Sequence, residues 1–373
     1  MNKSFFILLY LLSTSLFSQQ EKNNHYTFQG EYLYGNVIKH KKSISHLTLS
    51  HPVGFLLNWN HKTTAKDKKL VDYNFPDYGY SFIYQDFKNP ILGKAYSLQA
   101  NYSFYIGNRT KNNQFYFKIG QGITYNTNPY DIETNNKNNA FGSHLLTNMS
   151  LGFNYKRKRV FNAFDVNFGL LLLHYSNGAI KPPNSGLNTL SINTGVSYNF
   201  DTQNPIDYTF TSFKKDTTYK KEPIKINLKF SGGVNSSGNL GNRQFPFYVG
   251  SIYADKRISR KSILQFGTEV FFSKFLKELI QYNAVAFPEF PEEDGKADYK
   301  RVSLLIGHEL DIDNFSIITQ IGYYVYYPYP FETRYYERIG VKKYIGNKWF
   351  ATASIKAHLF IAESIDLGIG IRL

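Results

Sequence analysis

The chain contains no cysteine. That excludes a disulfide framework and a lipoprotein anchor cysteine. It also lacks any interior apolar run long enough to cross a membrane as a helix. It is short of acid: 28 Asp and Glu stand against 43 Lys and Arg, a formal net charge of +15. Such a charge ordinarily reads as nucleic-acid binding. The one long apolar run argues against that here. Lys3 precedes FFILLYLLSTSLFS and Gln19-Gln20 follows it, the pattern of a secretory signal with cleavage expected near Ser18. An exported basic chain meets anionic surfaces instead, namely lipid phosphates and lipopolysaccharide. The basic residues cluster at Lys39 to Lys42, Lys156 to Arg159 and Lys214 to Lys221, and each cluster reads most simply as a solvated turn.

Aromatics are plentiful, at 17% of the chain. After residue 18, alternating segments of roughly 10 to 15 residues recur, each bounded by Asn, Gly, Lys or Pro. This is the pattern of an outer-membrane β-barrel. Eight segments fall between Tyr26 and Phe200: Tyr26–Gly35, His46–His61, Tyr80–Tyr84, Tyr96–Ile106, Phe115–Tyr125, Leu145–Tyr155, Phe161–Asn177 and Leu187–Phe200. Residues 201–224 are polar without alternation and read as a linker or periplasmic turn. A second set of segments fills 225–373, ending in Ile365, Leu367, Ile369, Ile371 and Leu373 on one face. The expected fold is all-β: one antiparallel transmembrane barrel of roughly 16 strands, with an 8-stranded barrel plus a second β domain as the alternative. The expected divisions are 1–18, 19–200, 201–224 and 225–373. Short connections at Gly107–Asn113 and Lys156–Arg159 read as periplasmic turns, and the long ones at Asn128–Ser143 and Gln281–Lys300 as outer loops. Lys66–Gly79 is an awkwardly long inner turn on this count.

The segment FNAFDVNFGLLLLHYSN (Phe161–Asn177) carries the candidate chemistry. Successive strand residues face opposite sides. Phe164, Val166, Phe168, Leu170 and Leu172 therefore form one lipid-facing stripe, which ends in His174 and Ser176. Their Cα atoms lie about 6.5 Å apart with side chains pointing the same way, which brings an imidazole within reach of a hydroxyl. An adjacent base is what activates a serine nucleophile. Asn188 is expected on the same face one strand away. Polar groups on a lipid-facing wall are costly and point to function. Against this, strand ends at the headgroup level are commonly polar, and H-x-S alone is not specific.

Other motifs carry less. Ser143 and His144 are adjacent and so face opposite sides, with His144 expected to point inward; His308-Glu309 has the same defect. His46, His51 and His61 have no metal-ligand spacing. There is no Walker loop and no GxSxG elbow. The YYVYYPYP run at Tyr323–Pro330 reads as an aromatic girdle.

His174-Tyr175-Ser176-Asn177, followed by Pro183-Asn184 and Gly186, resembles the signature of the lipid A 3-O-deacylase (PagL-type) family. HPVGF (His51–Phe55), NFPDYG (Asn74–Gly79) and GSHL (Gly142–Leu145) resemble its Bacteroidetes branch, often labelled acyloxyacyl hydrolase. The resemblance covers roughly Tyr26 to Phe200. It implies an outer-membrane barrel esterase, acting on lipid A of lipopolysaccharide among outer-membrane lipids, with no metal or other cofactor and no nucleic acid. A homodimer is compatible with it. It also implies Ser176 as nucleophile, His174 as base, and Asn177, Ala179 and Asn184 around the oxyanion. The family's Glu, twelve residues after the serine, is replaced by Asn188; Asp77 and Glu133 are the other acids considered. A barrel that keeps this signature without hydrolysis, as a porin or a lipopolysaccharide-binding protein, is the alternative function.

Overall fold

A computed structural model describes residues 25–373, apart from 65–68, 202–205, 209–221, 237–242, 291–293, 313–314 and 360. The expected signal peptide and most of the 201–224 linker lie outside the described residues. Eight strands make the first half: β1 (Tyr26–Ile38), β2 (Val53–Lys62), β3 (Asp77–Asp86), β4 (Lys94–Ile106), β5 (Asn113–Asn126), β6 (Leu145–Phe161), β7 (Phe164–Ser176) and β8 (Leu187–Asn199). The second half holds β9 (Lys225–Asn235), β10 (Phe245–Arg257), β11 (Ser262–Ser273), β12 (Lys300–Ile312), β13 (Phe315–Tyr326), β14 (Tyr335–Ile345), β15 (Trp349–His358) and β16 (Ile361–Arg372), with one helix, α1 (Lys274–Ala286), after β11.

These strands close as two barrels, not one. β1 pairs with β8 from Thr27 opposite Asn199 to Ile38 opposite Asn188, and β16 pairs with β9, so each set of eight forms its own closed barrel. The single 16-stranded barrel is therefore incorrect, and the 8-stranded barrel followed by a second β domain is the arrangement observed. The reason is physical. Alternation states which face of a strand is apolar, but it does not say which two strands close the sheet. An 8-stranded barrel is just wide enough for its lumen to be filled by side chains.

That filling is visible in both barrels. In the first, Asn58, Ser81, Gln99, Asn101, Asn148 and Ser150 are buried in the lumen and linked by hydrogen bonds such as Ser81 Oγ to Asn58 Oδ1 at 2.6 Å and Gln99 Nε2 to Asn148 Oδ1 at 2.8 Å. Toward the long-loop end the lumen becomes apolar, with Leu33, Phe87, Phe141, Leu173, Tyr175 and Leu187 packed together. In the second, Arg338 donates to both oxygens of Glu269 at 2.7 Å, and Lys342 donates to Glu309 at 3.0 Å. The helix α1 packs Phe275, Leu276, Leu279 and Ile280 with Phe245 and Tyr329. Its start is capped by Ser273, whose hydroxyl accepts from the Leu276 N–H.

The outward stripes are apolar and bare. On β7, Phe164, Val166, Phe168 and Leu170 are 41–53% exposed, while the alternate residues Asp165, Asn167, Leu171 and Leu173 are buried. Leu228, Phe230, Leu367 and Ile369 give the second barrel the same coat. No helix among the described residues is long and apolar enough to cross a membrane.

Several boundaries differ from expectation. Lys156–Arg159 lies within β6, whose turn falls instead at Asn162 and Ala163. Lys156 is buried in the lumen and Arg157 is exposed, so this basic run alternates like any strand. Residues 42–47 form a short 3-10 helix ahead of β2, and Leu70–Tyr73 forms another inside the long inner turn.

The two barrels touch at both ends. At the long-loop end Ser236 N–H donates to Ala179 O at 3.1 Å, and Ser236 Oγ donates to Ile180 O at 2.9 Å. At the short-turn end Arg260 pairs with Asp72 at 2.7 Å, Tyr73 OH donates to Asp311 O at 2.7 Å, and the Tyr102 and Phe315 rings sit 4.9 Å apart.

Candidate active site

The end of β7 and the start of β8 build the site. Antiparallel register sets His174 directly opposite Asn188, and Asn188 Oδ1 lies 2.6 Å from His174 Nδ1. With Nδ1 carrying the proton, the imidazole donates to the amide oxygen and leaves Nε2 with a free lone pair. Both side chains stand on the outward face and are partly buried. Tyr175, between His174 and Ser176 in sequence, points the other way. It is fully buried, donates to Gln85 Oε1 at 2.9 Å, and meets Phe87 edge-on at 5.7 Å. One inward aromatic thus anchors the strand end from which both outward groups project.

Ser176 is the last residue of β7 and is 7% exposed. The connection at residues 177–186 folds back over it. Asn184 straddles the hydroxyl: its Nδ2 donates to Ser176 Oγ at 3.1 Å, and its Oδ1 lies 3.3 Å from that oxygen. The same Oδ1 accepts from the Asn177 N–H at 3.0 Å. The Gly178 N–H also donates to Ser176 Oγ, at 3.0 Å. Two N–H donors therefore converge on one hydroxyl. Gly186, at φ +70°, lets the return leg pass close by; a Cβ there would stand 3.1 Å from His174 Cε1 and 3.7 Å from Ser176 Cβ.

One feature departs from the sequence reading. Among the described residues no hydrogen bond joins His174 to Ser176; Asn184 and Gly178 hold the hydroxyl instead. The strand spacing alone left out the returning loop, which reaches Ser176 first. Catalytic hydrogen bonds are often long before substrate binds, and rotation about one side-chain bond redirects the hydroxyl.

The other candidates separate clearly. Asn177 is buried and donates through Nδ2 to Lys181 O at 2.6 Å and to Ser143 Oγ at 3.3 Å, so its amide braces the loop rather than facing Ser176. Ala179 takes φ +64°, and its carbonyl is engaged by the second barrel. Gly178, which the sequence reading passed over, supplies the amide at the hydroxyl; the Asn177-Gly178 dipeptide is a turn signal that marks it. Asp77 sits at the far end, bound to Tyr105 OH and to Arg109. Glu133 is on the exposed β5–β6 loop. His144 is exposed and stacks on Tyr125 at 5.3 Å on the outside of the barrel, not in the lumen, because it precedes β6 and escapes strand parity.

His40 Nε2 bonds to Ser185 O at 3.1 Å, which brings the basic run Lys39–Lys42 beside the site. Elsewhere, Glu332, His358 and Glu363 have ligand atoms within 4.8 Å of one another. Arg301 already pairs with Glu332 at 2.9 Å, and Lys356 with Glu363, so an added cation would meet two fixed positive charges.

Comparison with known proteins matches this architecture half by half. Residues 53–197 match the family model for lipid A 3-O-deacylase (PagL), and residues 224–373 match that for the acyloxyacyl hydrolase C-terminal domain. Among curated proteins no sequence matches the chain. Solved structures similar to it include Neisserial surface protein A, 11% identical with a TM-score of 0.33, covering 47% of this chain and 97% of that one. Another is OccK3 (OpdO) from Pseudomonas aeruginosa, 9% identical with a TM-score of 0.21, covering 93% and 94%. The protein is one of the outer membrane, and the chain belongs to the PagL-type lipid A 3-O-deacylase family.

Proposed function

We propose that this protein is an outer-membrane serine esterase that removes an ester-linked acyl chain from lipid A. The observation that carries the reading is the outward constellation of His174, Asn188, Ser176, Asn184 and the Gly178 amide at the long-loop end of the first barrel. With the long loops outside the cell, as is usual for such barrels, these groups would lie where acyl chains meet the sugar headgroup, which supports the reading. The exposed stripe below them suits the acyl chains, and the neighbouring Lys39–Lys42 run suits the phosphates of an anionic lipid.

The chemistry follows from the donors and acceptors. Ser176 Oγ attacks the ester carbonyl and passes its proton to His174 Nε2. The carbonyl oxygen becomes an oxyanion and takes up the Gly178 N–H and Asn184 Nδ2 as donors. The sugar oxygen leaves with the proton from His174, and an acyl-serine remains. Water then attacks that ester and its proton goes to His174, which returns it to Ser176 Oγ as the fatty acid leaves, so that free serine and neutral imidazole are restored. Asn188 holds the ring by accepting from Nδ1.

Asn188 also favours a second reading. An amide orients the imidazole but adds no charge to stabilise imidazolium, and the equivalent Asp-to-Asn change in serine proteases lowers turnover by about 10⁴. A barrel that binds lipopolysaccharide without hydrolysing it is consistent with that substitution. A porin finds no support in the first barrel's side-chain-filled lumen. Incubating purified protein with lipopolysaccharide in detergent micelles and measuring released fatty acid separates the readings. The esterase reading expects release that Ser176→Ala abolishes. Binding of lipopolysaccharide with no release from folded protein would leave the binding reading in its place.

A further inference from the structure

The connection at 177–186 is held from outside its own barrel as well as from within it. Gly178 and Ala179 are consecutive residues in the left-handed region, at φ +62° and +64°. For alanine that conformation costs about 1–2 kcal/mol, and it persists only where the surroundings over-determine it. Within the first barrel the Ile180 N–H donates to Asn177 O at 3.3 Å and Asn177 Nδ2 to Lys181 O at 2.6 Å; the second barrel supplies the rest of those surroundings. Ser236 N–H donates to Ala179 O at 3.1 Å. Ser236 Oγ and Gln244 Nε2 donate to Ile180 O, at 2.9 and 3.2 Å. Ile365 of β16 presses on Gly178 so closely that a Cβ at 178 would run into its side chain. Three donors and one aliphatic wedge from residues 236–365 thus fix the turn whose Gly178 amide points at Ser176.

We propose that the second barrel is a working part of the esterase. Its Ser236, Gln244 and Ile365 are positioning residues, which hold the Gly178 N–H in line for the oxyanion. The proposal rests on the esterase reading for its consequence, and on the interbarrel contacts for its mechanics. It accounts for two consecutive left-handed residues in a short loop. It also gives the C-terminal half a task that the ion-paired side chains of its lumen do not indicate. Without the clamp, the Gly178 amide is free to leave the left-handed turn, and the oxyanion keeps only Asn184.

The test pairs a structural readout with a kinetic one on the full chain in detergent micelles. The variants are Ile365→Ala, the double variant Ser236→Ala with Gln244→Ala, and Ile365→Leu as the conservative control. Heat-modifiable gel migration confirms that each barrel is closed. Hydrogen exchange of a peptide spanning 177–181 is expected to quicken at least tenfold in the alanine variants and to stay near wild type in Ile365→Leu. Fatty-acid release is expected to fall in kcat by about 10- to 100-fold, less than the roughly 10²- to 10³-fold lost when an oxyanion donor is removed outright, with KM within about threefold and recovery in Ile365→Leu. Unchanged exchange at 177–181 overturns the clamp, whatever the activity. Quickened exchange with kcat at the wild-type value overturns the positioning role and leaves the esterase intact. Quickened exchange in a protein whose wild type releases no fatty acid supports the clamp and sinks the esterase reading alone.

Discussion

Replacing Asn188 by Glu is the perturbation most closely tied to the site's geometry. The amide oxygen lies 2.6 Å from His174 Nδ1, and a glutamate, one methylene longer, reaches the same nitrogen from the same strand position. It adds a negative charge about 4 Å from the centre of the imidazolium that forms as Ser176 attacks. At an effective dielectric of about 20, opposite charges at that distance attract by about 4 kcal/mol. The ring is only partly buried, so about half of that survives screening, near 2 kcal/mol or roughly 30-fold in kcat. The upper bound is the factor of about 10⁴ seen for Asp against Asn in serine proteases. Steady-state release of fatty acid from purified lipid A reads this directly, with Asn188→Glu in a His174→Ala background as control. The reasoning expects a gain of 30-fold or more that vanishes in the double variant. A folded Asn188→Glu protein no faster than wild type would refute it, since the imidazole would then not be gathering positive charge in the slow step.

Tyr175→Ala is expected to destabilise the first barrel by about 3–5 kcal/mol, as for other large-to-small changes in a packed interior, whereas Tyr175→Phe loses one hydrogen bond worth about 0.5–1.5 kcal/mol; thermal loss of the fast-migrating folded band on gels measures both. Phe168→Lys places a charge midway along the exposed stripe of β7 and is expected to cost about 2–4 kcal/mol, read from urea unfolding in lipid vesicles. Arg338→Met leaves Glu269 buried with one partner fewer and is expected to destabilise the second barrel by about 3–5 kcal/mol, seen as a lowered urea midpoint.

Much of this was legible in residue alternation. The stripe from Phe164 to Leu170 is outward, Asn188 shares the face of His174, and the polar wall-end at 174–188 is where the pattern placed it. Alternation is local, and a period of two follows from the pleat alone. Closure is not local. Nothing in β8 states that Asn199 will lie beside Thr27 rather than open toward β9, so one barrel and two were equally compatible with the pattern. The loop chemistry was half legible. The Asn177-Gly178 pair marks a turn, yet only the folded connection shows that the Gly178 amide, and not that of Ala179, reaches the hydroxyl. The clamp of Ser236, Gln244 and Ile365 on residues 178–180 left no trace in sequence, because it joins segments more than 50 residues apart through backbone carbonyls that any residue type carries.

Mass spectrometry of lipid A from cells expressing the wild-type chain or its Ser176→Ala variant tests the central claim most directly. The account predicts that the wild-type chain yields lipid A lighter by one acyl group, and that the variant, inserted at equal level, leaves it whole. Identical lipid A from both, with both proteins folded in the outer membrane, would contradict it.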